Sequence, residues 1–189
     1  MSTSTAIKND PIVNGIDTDQ VVNLVTKVAE DEAYGKFQFR AHNQWIYGSR
    51  NRTLIQGFFA GGEEDTSRNE ALSVDADQPK FLAGKNTAPN SIEHYLHALT
   101  SCLTTTLTYH ASVQGIEIDQ VSVSAEGDIN VRGYFGVSDE INRGYECIRV
   151  AMKVRSSADV DRLTTLAMYS PVYEMVSKGV NVKFSMTKF

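Results

Sequence analysis

The sequence predicts an α+β fold, and three observations carry that prediction. Segments with an apolar period of two come in runs rather than singly between helices; one segment, 91–113, keeps a helical apolar period over about six turns; and the elements follow the order α-βββ-α-ββ-αα-β. A regular alternation of strand and helix would point to a doubly wound parallel sheet, whereas runs of strands between helices point to layered α+β packing.

The elements follow in order. Asp17-Thr18-Asp19-Gln20 supplies capping residues ahead of Val21, Val22, Leu24, Val25 and Val28, so a helix is expected over about 18–32. Lys36 to Tyr47 alternates, with Phe37, Phe39 and Trp45 on one side and Gln38, Arg40 and Gln44 on the other, as a half-buried strand does. Gly48-Ser49-Arg50-Asn51 reads as a turn, Thr53 to Phe59 as the returning strand, and Gly61-Gly62 as its end before Glu63-Glu64-Asp65, which reads as a solvated turn. A short strand is expected around Leu72 to Asp75, then a loop over 76–90 containing Pro79, Gly84 and Pro89.

The segment from Ser91 to Val113 is the strongest element. Ile92, Tyr95, Leu96, Leu99, Cys102, Leu103, Leu107 and Val113 form its apolar stripe, Asn90 or Ser91 caps its start, and Gly115 supplies the stop. Strands are expected over Val121–Val131 and Cys147–Val154, joined by the polar connection Gly133–Gly144. Ser156 or Ser157 opens a helix through Val160, Leu163, Leu166 and Ala167, Ser170-Pro171 reads as N-cap and N1 of a further helix, and Gly179 ends it. Val180, Val182, Phe184 and Met186 alternate as a last strand. The chain divides into an N-terminal extension with one helix, 1–35, and a domain over 36–189.

Composition narrows the function classes. With 189 residues, 41% hydrophobic and 22% charged, the chain matches an ordinary globular domain, and no run approaches the ~20 apolar residues of a membrane span. The start MSTSTAIKNDPIV lacks a basic and then apolar leader, so a cytoplasmic location is expected. A net charge of −5 and a pI near 5.4 offer no footprint for nucleic acid. The two cysteines, Cys102 and Cys147, are too few for a disulfide framework. His94 and His97 lack further ligands at zinc spacing, and Gly48, Gly61 and Gly62 lack the strand and helix context of a dinucleotide site, so no cofactor is expected.

One block is more specific: Ser91-Ile92-Glu93-His94-Tyr95-Leu96, then Ser101-Cys102-Leu103-Thr104-Thr105-Thr106-Leu107, then Tyr109-His110-Ala111 and Gly115-Ile116. It resembles the cysteine-helix signature of the OsmC / organic hydroperoxide resistance family. Asn51-Arg52, Gly61-Gly62-Glu63-Glu64-Asp65 and Ser170-Pro171-Val172-Tyr173 fall in the family's order, so the resemblance runs from about Lys36 to the end. It implies antiparallel sheets packed around a long cysteine-bearing helix, and an intertwined homodimer with its sites at the interface. It also implies reduction of organic hydroperoxides by a peroxidatic Cys, a resolving Cys, an Arg and a Glu.

Carried onto this chain, the peroxidatic position is Cys102, while the resolving position falls on Ser170. Cys147 lies in a strand facing away from Ile148, Val150 and Met152, and is no obvious substitute. Arg50 holds the family's place after the hairpin glycine, and Arg52 belongs to the Asn-Arg pair; the pair gives Arg52 a small edge. Glu93 stands nine residues before Cys102 where hydroperoxide reductases place a Glu at ten, and nine residues put it on the opposite helical face and ~13 Å along the axis.

A Cys on an apolar helical stripe is by default a core residue. A thiolate in mid-helix gains little from the helix N-terminus, so a reactive Cys102 needs a neighbouring cation, which is the physical reason to look to Arg50 or Arg52. His110 and the Thr104-Thr105-Thr106 run read as packing residues, with hydroxyls bonded back to the preceding turn. Two functions stay open. One is a one-Cys thiol peroxidase that draws on an external thiol or dithiol. The other is an OsmC-fold protein without peroxidase turnover that works as a small-molecule-binding or stress-response protein, with a small hydroperoxide or other small apolar ligand at the dimer interface.

Overall fold

The computed structural model describes residues 11–180 and 182–186. By contacts the chain divides into two compact units, 1–16 with 96–189, and 17–95.

In the first unit a short hairpin, β1 (Ile12–Val13) and β2 (Ile16–Asp17), was not foreseen. Its turn is held by Asn14, left-handed at φ 51°, whose side chain donates to Ser112 Oγ (3.0 Å) and the Ile116 carbonyl (2.9 Å) and accepts from Ile118 N (2.8 Å). The turn is thereby tied to the end of the cysteine helix.

That helix, α2 (Ser91–Val113), has the expected bounds. Its buried face is narrower than the expected stripe. Leu99, Leu103, Leu107 and Ala111 are buried, four residues apart, while Tyr95 and Val113 are 44% and 41% exposed. Four-residue spacing advances only ~40° per step, so these side chains make one ridge, and groups further round the helix leave the core.

The ridge packs on Leu163, Leu166 and Ala167 of α4 (Val160–Ala167), with Val172, Tyr173 and Val176 of α5 (Pro171–Lys178) beside them. Val121, Val123, Ile148, Met152 and Val154 complete this core from one face of an antiparallel pair, β8 (Gln120–Ile129) and β9 (Tyr145–Arg155). The alternation of the two strands does this directly: every second residue of β8 is half-buried. Cys147 pairs with Asp128 and is exposed.

Three boundaries move in this unit. β8 stops at Ile129, short of the expected Val131, because Asn130 caps a short helix, α3 (Val131–Tyr134), that runs into the start of the expected polar connection. α4 starts at Val160, capped by Asp159, because Ser156 instead donates to the Glu117 carbonyl (2.6 Å) and accepts from Ala158 N. No strand forms among the described residues of 180–186, and Asn181 lies outside them.

The second unit holds α1 (Thr18–Glu30), capped by Asp17, and a three-stranded antiparallel sheet in the order β3 (His42–Tyr47), β4 (Arg50–Ile55), β7 (Leu72–Ala76). β3 starts six residues later than expected, since within 36–41 only Gln38 makes a strand-like pairing, an isolated bridge to Phe59, which lies outside this sheet. The turn is Gly48-Ser49 alone, with Gly48 at φ 59°, so Arg50 and Asn51 belong to the strand. The returning strand breaks at Gln56-Gly57; Phe58–Ala60 (β5) then pairs with Glu63–Asp65 (β6) across the Gly61-Gly62 turn.

Glu63-Glu64-Asp65 is therefore a strand and not a solvated turn. Glu64 is fixed by both amino groups of Arg40 at 2.8 and 2.7 Å. Among the described residues of this unit Ala76 is the one buried hydrophobic side chain, and Val22, Leu24, Val25, Val28, Phe37 and Phe39 stay exposed.

Candidate functional site

Cys102 lies in mid-helix, eleven residues and roughly 16 Å beyond the start of α2. It is half-buried and unpaired by any disulfide, with Sγ 3.9 Å from Thr106 Oγ1. At ~100° per residue, Cys102, Thr106, Tyr109 and Val113 share a strip beside the core ridge. Tyr109 and Val113 are exposed, and Thr106 is half-buried like the thiol.

On the neighbouring faces, Thr100, Thr104, Thr108 and Ser112 each donate a hydroxyl to the carbonyl four residues back, at 2.7–3.1 Å. His110 stacks on Tyr169 with ring centres 4.7 Å apart. His110 thus packs as expected, whereas of the Thr104-Thr105-Thr106 run only Thr104 bonds back to the preceding turn, Thr105 being exposed and Thr106 facing the Cys102 sulfur.

Ser170 is fully buried, and its Oγ accepts from Tyr173 N (3.2 Å) as the N-cap of α5, with Pro171 at the first helical position. The position where the family resemblance implies a second thiol is thus occupied by a hydroxyl that closes a helix end.

In the 17–95 unit the two arginines behave differently. Arg52 and Asp75 face each other across β4 and β7, and the guanidinium grips the carboxylate with Nε at 2.6 Å and Nη2 at 2.8 Å. This contact raises the Arg52 value and holds the Asp75 carboxyl below the usual range. Among the described residues Arg50, half-buried at the start of β4, has no carboxylate at ion-pair distance.

Glu93 is spent locally as well: its carboxylate accepts from Asn90 N (2.7 Å), and Asn90 Oδ1 accepts from Glu93 N (2.8 Å). This is a capping box, and Asn90 is the N-cap. Its signature, Asn followed three residues later by Glu, stands in the sequence. His94 donates Nε2–H to the Asp75 carbonyl at 2.9 Å, and no group of three His, Cys, Asp or Glu side chains suited to a metal occurs among the described residues.

Asp77, just past β7, is 2% exposed and accepts four hydrogen bonds: from Ser49 Oγ (2.6 Å), Gln78 N (2.8 Å), Thr87 Oγ1 (2.9 Å) and Thr87 N (3.1 Å). These donors, Ser49 first, stabilise the carboxylate and hold its value far below the ordinary range. The folded value being lower than the unfolded ~3.9, the stabilisation is complete above about pH 4 and is lost as pH falls toward the folded value. In urea unfolding, wild type should therefore exceed Asp77→Asn at pH 7, and the gap should shrink at pH 3.

Residues 84–185 match the family model described as OsmC-like protein, which covers more than half of the chain and includes Cys102 and Ser170. The chain belongs to the OsmC-like family. Solved structures agree in fold. An OsmC-like protein of Mycoplasma pneumoniae, 12% identical, superposes with a TM-score of 0.55 over 75% of this chain and 88% of its own. An OsmC-like protein of unknown function from Vibrio cholerae, 10% identical, gives 0.54 over 77% and 95%. A Psychrobacter arcticus protein assigned to osmotic stress induction and detoxification response, 15% identical, gives 0.54 over 74% and 88%. No curated protein matches the chain. As an OsmC-like protein it has the mixed helical and antiparallel architecture expected, with the cysteine helix against the β8–β9 sheet. None of its helices among the described residues is long and apolar enough to cross a membrane.

Proposed function

We propose that this OsmC-like protein reduces organic hydroperoxides in oxidative-stress defence, as a one-Cys enzyme that uses Cys102 and an external thiol. The observation that carries the reading is Cys102 itself, a half-buried, unpaired thiol inside the segment that matches the OsmC-like family. The thiolate attacks one peroxide oxygen, the O–O bond breaks, and an alkoxide leaves and takes up a proton; sulfur is oxidised to sulfenic acid as the peroxide becomes an alcohol. One external thiol displaces water to form a mixed disulfide, and a second releases Cys102 as thiol along with the external disulfide.

The cation in this scheme is Arg50 rather than Arg52, because the Arg52 fork is already closed on Asp75. Glu93 keeps the role of the family's carboxylate only if it can leave its capping box. Mass spectrometry after one equivalent of cumene hydroperoxide tests the reading: sulfenic acid should appear at Cys102, and its absence would leave binding without turnover as the function. Arg50→Ala should slow iodoacetamide alkylation of Cys102 about tenfold at pH 7, with Arg52→Ala having the smaller effect; equal rates in all three proteins would remove both arginines from the site.

The working form in this proposal is an intertwined homodimer. The support is apolar surface: α1 buries none of its side chains among the described residues, and Tyr109 and Val113, in the same strip as the thiol, are exposed. Sedimentation at micromolar concentration should give a dimer, and a monomer would end the interface reading.

A further inference from the structure

A cleft of about 460 Å³ opens within the 17–95 unit, between the β3–β4 turn and the loop that follows β7. Trp45, Tyr47, Arg50, Asp77 and Lys85 supply its chemically distinctive walls. We propose that this cleft binds a small carboxylate with a flat apolar body, of the aromatic-acid class.

Charge favours an anion. Arg50 and Lys85 are two cations without a carboxylate at ion-pair distance among the described residues, and Lys85 Nζ sits 5.7 Å over the Tyr47 ring. The one lining carboxylate, Asp77, is buried and saturated by its four donors, so it braces the wall and competes poorly for either cation. Two positive side chains against one negative leave the lining net positive.

Shape favours a flat apolar body. Trp45 and Tyr47 are 73% and 69% exposed although large and aromatic, and the indole is tethered by Nε1 donating to the Gly48 carbonyl at 2.9 Å. A tethered ring lining the same cleft as a guanidinium offers a flat body a surface to stack on and its carboxylate a cation. The volume lies within the range of small-molecule sites.

The loop carrying Lys85 is held in a costly conformation. Ala83 and Asn86 on either side are left-handed at φ 61° and 56°, and a Cβ on Gly84 would collide with the Gln78 carbonyl. Asn86 N donates to that carbonyl (3.0 Å), and Thr87 anchors the loop to Asp77. Strain maintained by surrounding bonds is characteristic of segments that position a functional group.

The cleft shares Arg50 with the proposed peroxide site, so the test is placed on Lys85 and Trp45, to which the peroxide scheme assigns no part. Calorimetric titration of the full chain with 2-naphthoate should show saturable binding, with 2-naphthylmethanol at least about tenfold weaker. Lys85→Gln should weaken naphthoate about tenfold, the size of one charge-assisted hydrogen bond, and leave the alcohol unchanged. Trp45→Leu should weaken both, and Cys102→Ser should weaken neither. Absence of saturable naphthoate binding, or naphthoate affinity unchanged in both Lys85→Gln and Trp45→Leu, overturns the proposal.

Discussion

Cys102→Ser is expected to abolish hydroperoxide consumption altogether, while the wild type consumes about one equivalent and then stalls until a small thiol or dithiol is added. The stall follows from Ser170, whose hydroxyl cannot form the disulfide that would protect and recycle a sulfenic acid. Without reductant, excess peroxide should carry Cys102 on to sulfinic acid. Ser170→Cys should change this outcome, gaining a disulfide to Cys102 under peroxide and resisting overoxidation. It should also cost about 1 kcal/mol, because the hydroxyl that caps α5 is lost. Peroxide assays with intact-mass spectrometry follow both variants. If Cys102 oxidises but Ser170→Cys never forms the bond, residue 170 does not hold the family's resolving position.

Leu107→Ala is expected to lower the unfolding free energy by about 2–5 kcal/mol, a large share of the ~5–15 kcal/mol typical of a domain. Leu107 is fully buried on the α2 ridge against α4, where neighbouring side chains leave little room to close a cavity. The exposed Thr105→Ala, on the same helix, should stay within about 0.5 kcal/mol. Urea midpoints compared at constant slope decide this, and equal losses would mean that the ridge is not the core.

What was legible in advance divides along physical lines. The bounds of α2 and the cap pair Ser170-Pro171 were readable because local rules, periodicity and capping, decide them. The break at Gln56-Gly57 and the late start of β3 were not, because strand ends depend on which partner strand is present, here β7 beside β4. The same limit hid the closure of Arg52 on Asp75, a contact between residues 23 apart that only the register of two strands creates. The capping box at Asn90 and Glu93 belongs with the legible part, since Asn followed three residues later by Glu is a local signature that needs no tertiary partner.

The hydroxyl ladder along α2 alters how that helix interacts with its surroundings. Thr100, Thr104, Thr108 and Ser112 count as polar in a mean hydropathy of −0.27, yet each has already spent its proton on its own backbone. A neighbour that dehydrates this face strands no donor, so the usual penalty for removing hydroxyls from water is largely absent. By that measure α2 is a greasier helix than its letters spell, able to lie against a second apolar surface along more of its circumference than the leucine ridge alone provides.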